Sequence, residues 1–287
     1  FKTYLVFLVL WVTVVYAPIA HWVWAEDGWL FKRGALDFAG GAVVHINAGM
    51  AAIAAAALVG RRRNIEQGIE PHNVPFVILG ASMLWFGWFG FNAGSGLAAD
   101  GRAVSAFLVT NTAAATAMVV WVILGMTHGG KVSGVGAATG AIAGLATITP
   151  ASGFVGVDSA LIIGVITGIV TFYAVYFKNK VNLDDALDVF AVHGIGGIIG
   201  VIATGIFAEK AIGGTEGLIE GSSTLLVENI ILVIVTVVYS LIVTLILLKA
   251  LDIIPGLGLR SDESEEDQGL DVSDHGERGY VADGADN

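Results

Sequence analysis

Two histidines are the residues of this sequence whose type and position are best suited to chemistry. His45 and His193 fall well inside long apolar stretches, whereas the other four histidines lie in polar segments or near the end of such a stretch. An ionisable side chain at membrane depth is costly and is by default a functional hypothesis. The alternative is a structural imidazole that is hydrogen-bonded between helices. If the two rings form a polar bridge, we expect their nitrogens to approach within about 2.7–3.2 Å.

A metal centre is the weakest interpretation of these histidines. The chain has no cysteine, and no third histidine accompanies the pair, whereas a metal site needs three or four ligands. We therefore predict no metal and no cofactor.

The segments that contain the two histidines resemble each other. Asp37 precedes His45 and Asp188 precedes His193, and glycines lie close to both histidines. An acidic residue near a helix start is favoured by the helix dipole. The two helices are predicted to run in opposite directions, which is typical of an inverted repeat with a site between its halves.

An aromatic segment from residue 85 to 95 supplies further candidates. Phe91 and Ser95 lie near its end, and Trp24 closes the first apolar stretch at the same predicted surface. A tryptophan there is typical of the interfacial belt of membrane proteins. Alternatively, Trp24 forms a cation–π seat for a small cation, with Ser95 accepting a hydrogen bond from it. Phe91 faces either lipid or the protein core.

The composition indicates that membrane-spanning helices position these residues. Of the 287 residues, 55% are hydrophobic and 14% charged, and the mean hydropathy is +0.79, whereas a soluble domain has about 25% charged residues. A spanning helix needs about 20 apolar residues. The uncharged stretches predict an all-α protein with eight such helices: Thr3–Trp24, Phe38–Gly60, Asn73–Ala99, Ala103–Thr127, Val132–Val157, Ser159–Phe177, Val189–Ala208 and Asn229–Leu248.

Positive charge is distributed unevenly between the two predicted faces. One face holds nine lysines and arginines, among them Arg61, Arg62 and Arg63, and the other face holds four. The positive-inside rule therefore places both ends of the chain in the cytoplasm. The outer loops also carry several acidic residues, which either concentrate cations or are ordinary solvated charge.

The chain ends in an acidic segment. The formal charge of the chain is −11, and residues 260–287 carry ten acidic residues against two arginines. We predict a transmembrane domain over residues 1–256 and an acidic cytoplasmic tail over residues 257–287. The run Asp262–Asp267 is expected to be solvated and mobile.

Three membrane motifs together resemble the ammonium transporter (Amt/MEP/Rh) family. They are the segments 34–47, 87–95 and 188–194, and residues 269–277 are similar to the tail of bacterial and archaeal members. The resemblance implies eleven helices, built as two inverted five-helix repeats and a last long helix, in a homotrimer. This sequence supplies the last eight, so we expect three helices and one gate phenylalanine to be absent from it.

The resemblance also implies roles for individual residues. Trp24 and Ser95 would form the outer ammonium site, Phe91 would be a gate, and His45 and His193 would line the pore. Supporting positions would be Asp37, Trp88, Asn92 and Asp188.

The function implied by this resemblance is ammonium or ammonia transport across the cytoplasmic membrane, by a protein that is not an enzyme. Its partners would be the lipid bilayer, further copies of the chain and a PII-type signalling protein at the cytoplasmic face, and not nucleic acid. Ammonium can lose a proton and cross a dry pore as ammonia, whereas potassium cannot lose its charge. The sequence contains no carbonyl filter motif. Whether transport is electrogenic stays open.

Three alternatives remain. An ammonium sensor would add a signalling domain, but only about 35 residues follow the last predicted helix. A membrane enzyme using His45 and His193 as acid and base would need a nucleophile or metal as well. The third alternative is an inactive fragment of a transporter.

Overall fold

The computed structural model describes residues 1–280 except 64, 66, 67 and 69, and over these residues it is helical without a strand. Three π-helical segments interrupt or precede α-helices: π1 (Val12–Tyr16), π2 (Gly41–Ile46) and π3 (Phe190–Ile195). The α-helices are α1 (Lys2–Trp11), α2 (Ala17–Trp24), α3 (Trp29–Arg33), α4 (Asn47–Val59), α5 (Val74–Gly94), α6 (Gly101–Gly129), α7 (Gly134–Ile148), α8 (Val157–Lys180), α9 (Gly196–Phe207), α10 (Lys210–Gly213), α11 (Thr224–Asp252), α12 (Glu263–Gln268) and α13 (Leu270–His275).

Seven helical spans within the described residues are long and apolar enough to cross a membrane. They are Lys2–Arg33, Gly41–Val59, Val74–Gly94, Gly101–Gly129, Val157–Lys180, Phe190–Phe207 and Thr224–Asp252. The remaining predicted stretch, Val132–Val157, contains the shorter helix α7 of 15 residues. The all-helical membrane fold is confirmed, with one of the eight predicted helices shorter than a full span.

The fifth apolar stretch is only partly helical because the chain leaves α7 at Thr149 and forms a buried turn. Irregular backbone at membrane depth is tolerated where protein covers it and its polar groups are bonded. Here the carbonyl of Pro150 accepts from the amide of Phe38 at 3.1 Å, and the carbonyl of Phe154 accepts from Glu209 at 2.8 Å. Arg102 donates from Nε to the carbonyl of Gly153 at 3.0 Å. The turn is therefore fixed by three other segments.

The acidic run of the tail forms a short helix that pairs with arginines of the bundle, while most of its residues remain exposed. Its mobility stays a prediction. Residues 263–268 form α12, which begins with a capping box between Asp262 and Glu265. Arg63, in the loop after α4, pairs with Asp267 at 2.8 Å. Arg260 pairs with Glu266 and also donates to the carbonyl of Arg61 at 2.8 Å. Two arginines thus pair with two of the five acidic residues of this run.

The division at residues 256 and 257 stays a prediction. Residues 281–287 of the predicted tail lie outside the described residues. We call the end of the bundle that carries α12 the tail end, and the end that carries α3 the opposite end.

Candidate functional site

His45 and His193 meet inside the bundle. Their Nδ1 atoms are 3.2 Å apart and their ring centroids 5.2 Å apart. His45 is 4% exposed, and His193 is partly exposed. The predicted approach of the two rings is therefore confirmed.

Two glycines allow the backbones that carry the histidines to approach closely. A Cβ atom on Gly49 of α4 would lie 2.3 Å from the Cα atom of Gly194 in π3. Real side-chain atoms do not come so close, so no larger residue fits at this crossing. The contact between Gly49 and Gly194 thus brings the histidine of π2 and the histidine of π3 within hydrogen-bonding distance.

Asp37 fixes the start of the segment that carries His45. Its carboxylate accepts from the backbone amides of Gly40 and Gly41 through Oδ1, at 2.9 and 2.6 Å, and from those of Ala42 and Val43 through Oδ2, at 2.8 and 3.0 Å. These are the amides that a helix start leaves without partners. Gly40 has φ +112°, a left-handed conformation that glycine adopts without strain.

The corresponding cap in the second segment is Asp185, which corrects the assignment to Asp188. Asp185 accepts from the amides of Val189 and Phe190 at 3.1 and 2.8 Å. Asp188 instead turns to Lys178 at the end of α8 and forms an ion pair with it. Burial raises the pKa of Asp188 above its ordinary value despite the hydrogen bond and charge of Lys178. The signal in the sequence was the spacing, since Asp185 precedes His193 by eight residues as Asp37 precedes His45.

Trp88 lies against the histidine pair from α5. Its ring stacks on His45 with centroids 5.5 Å apart and an interplanar angle of 24°. Its Nε1 donates to Thr149 Oγ1 at 2.9 Å, and the same hydroxyl lies 3.3 Å from His45 Nε2. Thr149 is therefore a member of the site that the sequence interpretation missed, because a threonine after an apolar helix has no distinguishing pattern.

Phe91 continues the aromatic wall toward the opposite end. Its ring centroid is 6.1 Å from that of His45 and 5.7 Å from that of Trp88. The side chain is 41% exposed, so it borders an open space. Ser95, one turn further along α5, donates from Oγ to the carbonyl of Phe91 at 2.9 Å, and its lone pairs can still accept.

Trp24 and Asn92 are anchored in different ways. Trp24 is 40% exposed, and its Nε1 donates to the backbone carbonyl of Asp37 at 2.8 Å, which fixes the indole beside the cap of π2. Asn92 is fully buried and donates to Thr110 Oγ1 on α6 at 2.9 Å. Asn92 thus joins two helices, and Trp24 is fixed by one hydrogen bond while part of it remains accessible.

The arrangement can bind a small polar molecule in apolar surroundings, but the described residues do not form a metal centre. They contain no group of three histidine, aspartate or glutamate side chains that could hold a metal ion. Around the histidine pair lie aromatic rings and small residues, and the four ring nitrogens of the pair and the hydroxyl of Thr149 are polar groups there. Such a path favours a neutral molecule that both donates and accepts hydrogen bonds.

The fold and the site define a polytopic membrane transport protein in which two capped segments of opposite direction meet at a histidine pair. The chain belongs to the ammonium transporter family: residues 1–280 match the Ammonium Transporter Family.

Relatives and solved structures agree with this assignment. The chain is 50% identical to the ammonium transporter Amt1 of Archaeoglobus fulgidus, over 98% of the chain and 71% of that protein. It is 46% identical to the ammonium transporter of Bacillus subtilis, over 98% of the chain and 69% of that protein. The crystal structure of Saccharomyces cerevisiae Mep2 superposes with a TM-score of 0.88 at 39% identity, covering 92% of this chain and 61% of that one. A structure described as a sensor Amt protein gives a TM-score of 0.83 at 34% identity, with 92% of this chain covered and 67% of that one.

Proposed function

We propose that this protein carries ammonium or ammonia across the cytoplasmic membrane, along a path that passes the histidine pair. The observation that carries the proposal is the 3.2 Å contact between His45 Nδ1 and His193 Nδ1 among aromatic and small residues. A structural bridge between two helices does not need an ionisable side chain, and such a group inside a membrane protein is costly. Family membership supports the same substrate.

The recruitment site in this proposal lies at the opposite end of the bundle. Ammonium rests against the ring of Trp24 and donates a hydrogen bond to Ser95 Oγ, with Phe91 as the gate below it. A cation–π contact contributes about 0.5–2 kcal/mol. The anchoring of Trp24 on the Asp37 carbonyl supports this role, because it holds the ring in place before the cation arrives. Asp37 acts through the backbone and does not touch the substrate.

Selectivity follows from the dry path beyond the gate. Ammonium and potassium carry the same charge and are similar in size, so a ring of carbonyls separates them poorly. Ammonium can leave its proton and pass as ammonia, whereas potassium would enter the apolar segment with its full charge, at a cost of several kcal/mol. The buried Trp88 keeps water from this segment, and the histidines supply hydrogen bonds to the neutral molecule.

The assembly and its placement are part of the same proposal. We place the tail end in the cytoplasm because the basic residues are concentrated there. The protein forms a homotrimer, and a PII-type signalling protein binds the neighbouring cytoplasmic loops together with residues 269–277, not the acidic run. The ion pairs of Arg63 with Asp267 and of Arg260 with Glu266 support this placement, because they hold the tail beside the loop after α4.

Replacement of a pore histidine tests the proposal. In a strain without ammonium transporters, expression of the protein should restore growth on low ammonium. We expect His193→Phe, which keeps an aromatic ring but removes its hydrogen bonds, to lower methylammonium uptake about fivefold or more, since a lost buried hydrogen bond costs about 1–3 kcal/mol. His128→Phe is the matched control, because His128 is exposed near the tail end. Equal uptake by both variants, at equal amounts in the membrane, would return the pair to a structural role.

A further inference from the structure

The hydroxyl of Thr149 has three polar neighbours but only one proton to donate. Its Oγ1 lies 2.8 Å from the carbonyl of Leu145, 2.9 Å from Nε1 of Trp88 and 3.3 Å from Nε2 of His45. An indole N–H can only donate, so Thr149 accepts from Trp88. The single hydroxyl proton therefore goes either to Leu145 or to His45.

The distances favour donation to Leu145. Hydroxyl donors usually lie 2.5–3.0 Å from an oxygen acceptor, and 2.8 Å is a common value. The 3.3 Å separation from His45 is long for a hydroxyl donor, and it is only slightly longer than a usual N–H···O bond. In this arrangement Thr149 accepts a hydrogen bond from His45, so the imidazole of His45 is protonated at Nε2.

The position of this proton determines the protonation of both rings. A neutral imidazole has one N–H, so His45 Nδ1 is a bare acceptor and the Nδ1 of His193, 3.2 Å away, carries the proton between them. His193 Nε2 is then left as a bare lone pair. We propose that Thr149 sets this tautomer pair, which makes His193 Nε2 the one ring nitrogen of the pair that can accept a hydrogen bond from a passing molecule.

Thr149 is well placed to hold such an orientation because its own position is fixed on both sides. It ends α7, and the turn that follows is bound to Phe38 through the carbonyl of Pro150. Ser152 donates from Oγ to the carbonyl of Thr149 at 3.1 Å, and Thr149 itself is fully buried. Thr149 is thus a positioning residue, which acts on the path through the histidines. The role of Thr149 in transport rests on the proposed function, whereas the tautomers of the two histidines do not.

Nitrogen NMR of labelled histidine in lipid bilayers tests the assignment directly. A variant in which the four exposed histidines are replaced by glutamine (His21, His72, His128 and His275) leaves His45 and His193 as the observed rings. We expect one bare nitrogen and one protonated nitrogen in each ring: a bare Nδ1 in His45 and a bare Nε2 in His193. The reverse pattern, with the proton on His45 Nδ1, would overturn the proposal.

The role of Thr149 is tested by two substitutions in that background. Thr149→Ser keeps the hydroxyl and should give the same spectrum, whereas Thr149→Val keeps the shape and should give a mixture of both tautomers. An unchanged spectrum of Thr149→Val would show that another group sets the proton positions. If Thr149→Val does not fold, Thr149→Ala takes its place. The spectrum of the protein that retains Thr149 still decides which tautomer each histidine adopts. The spectra require no transport, so failure of transport alone would overturn the proposed function and not the tautomers.

Discussion

His45 and His193 approach through the same atom of each ring, so the pair can hold one proton between its Nδ1 atoms and not two. This contact is supported on one side by Thr149 and Trp88, and toward the opposite end it is followed by Phe91. The result is a row of side chains in which polar groups alternate with aromatic surface. The exposed Trp24, which our proposal assigns to the recruitment site, is the simplest residue to test.

Trp24→Leu should weaken the apparent affinity for ammonium by about 2-fold to 30-fold, because a cation–π contact of about 0.5–2 kcal/mol is lost. The measurement is the concentration dependence of methylammonium uptake. Trp29→Leu is the matched control, since Trp29 is 41% exposed and Trp24 is 40% exposed. If both variants keep the affinity of the unchanged protein, Trp24 belongs to the interfacial belt.

The sequence predicted the histidine pair and Asp37 but not Asp185 or Thr149. Polar residues in apolar stretches are conspicuous because their burial needs a reason. Asp188 lies nearer in sequence to His193 than Asp185 does. Only the three-dimensional path of the loop shows that the carboxylate of Asp188 pairs with Lys178. The contact of Thr149 with His45 joins residues 104 positions apart, which no local pattern can reveal.

Among the elements, π2 and π3 have the same construction. In each, an aspartate accepts the first amides, the residue three positions later has positive φ, and a histidine follows eight positions after the aspartate. The residue with positive φ is Gly40 in one segment and Asp188, at φ +55°, in the other. Helix α4, which continues π2, crosses π3 at Gly49 and Gly194, so the geometry of the histidine pair depends on this crossing.

Gly49→Ala should destabilise the protein by about 1–3 kcal/mol, because the added methyl group has no space between the backbones. The measurement is the thermal unfolding of the purified protein in detergent. Gly87→Ala on α5 is the matched control: a Cβ there meets nothing within 4 Å, and alanine favours the helix by up to about 1 kcal/mol. Equal unfolding temperatures of the two variants would mean that the crossing tolerates a wider separation.

At the scale of the whole molecule, the tail joins segments that are distant in sequence. Arg63 and Asp267 are 204 residues apart, and Arg62 additionally pairs with Asp184 in the loop that leads to π3. The sequence predicted both the basic cluster and the acidic run on one side of the membrane. It did not predict that they meet, because composition alone is equally typical of a solvated tail.

Acid should release the tail. The hydrogen bond and the charge of Arg260 hold the pKa of Glu266 below its usual range. A carboxylate whose pKa is lower in the folded than in the unfolded state stabilises the folded state above the unfolded pKa of about 4.3. This stabilisation is lost as the pH falls through the folded-state pKa. Hydrogen exchange of the amides of α12, corrected for the intrinsic rate, should therefore show lower protection below about pH 4 than at pH 7.

Glu266→Gln should lower the hydrogen-exchange protection of the α12 amides at pH 7 by as much as acid lowers it in the unchanged protein. Glu228→Gln is the matched control, since Glu228 pairs with Arg33 at the opposite end of the bundle. Protection of α12 that is independent of pH and of both substitutions would show that the ion pairs do not hold the tail.

The central claim is tested most directly by uptake of radiolabelled methylammonium into vesicles that contain the protein expressed from its native gene. The account predicts uptake above that of empty vesicles, which ammonium inhibits and an equal concentration of potassium does not, because only the amine can cross the dry segment as a neutral molecule. Uptake equal to that of empty vesicles, or equal inhibition by potassium and ammonium, would contradict it.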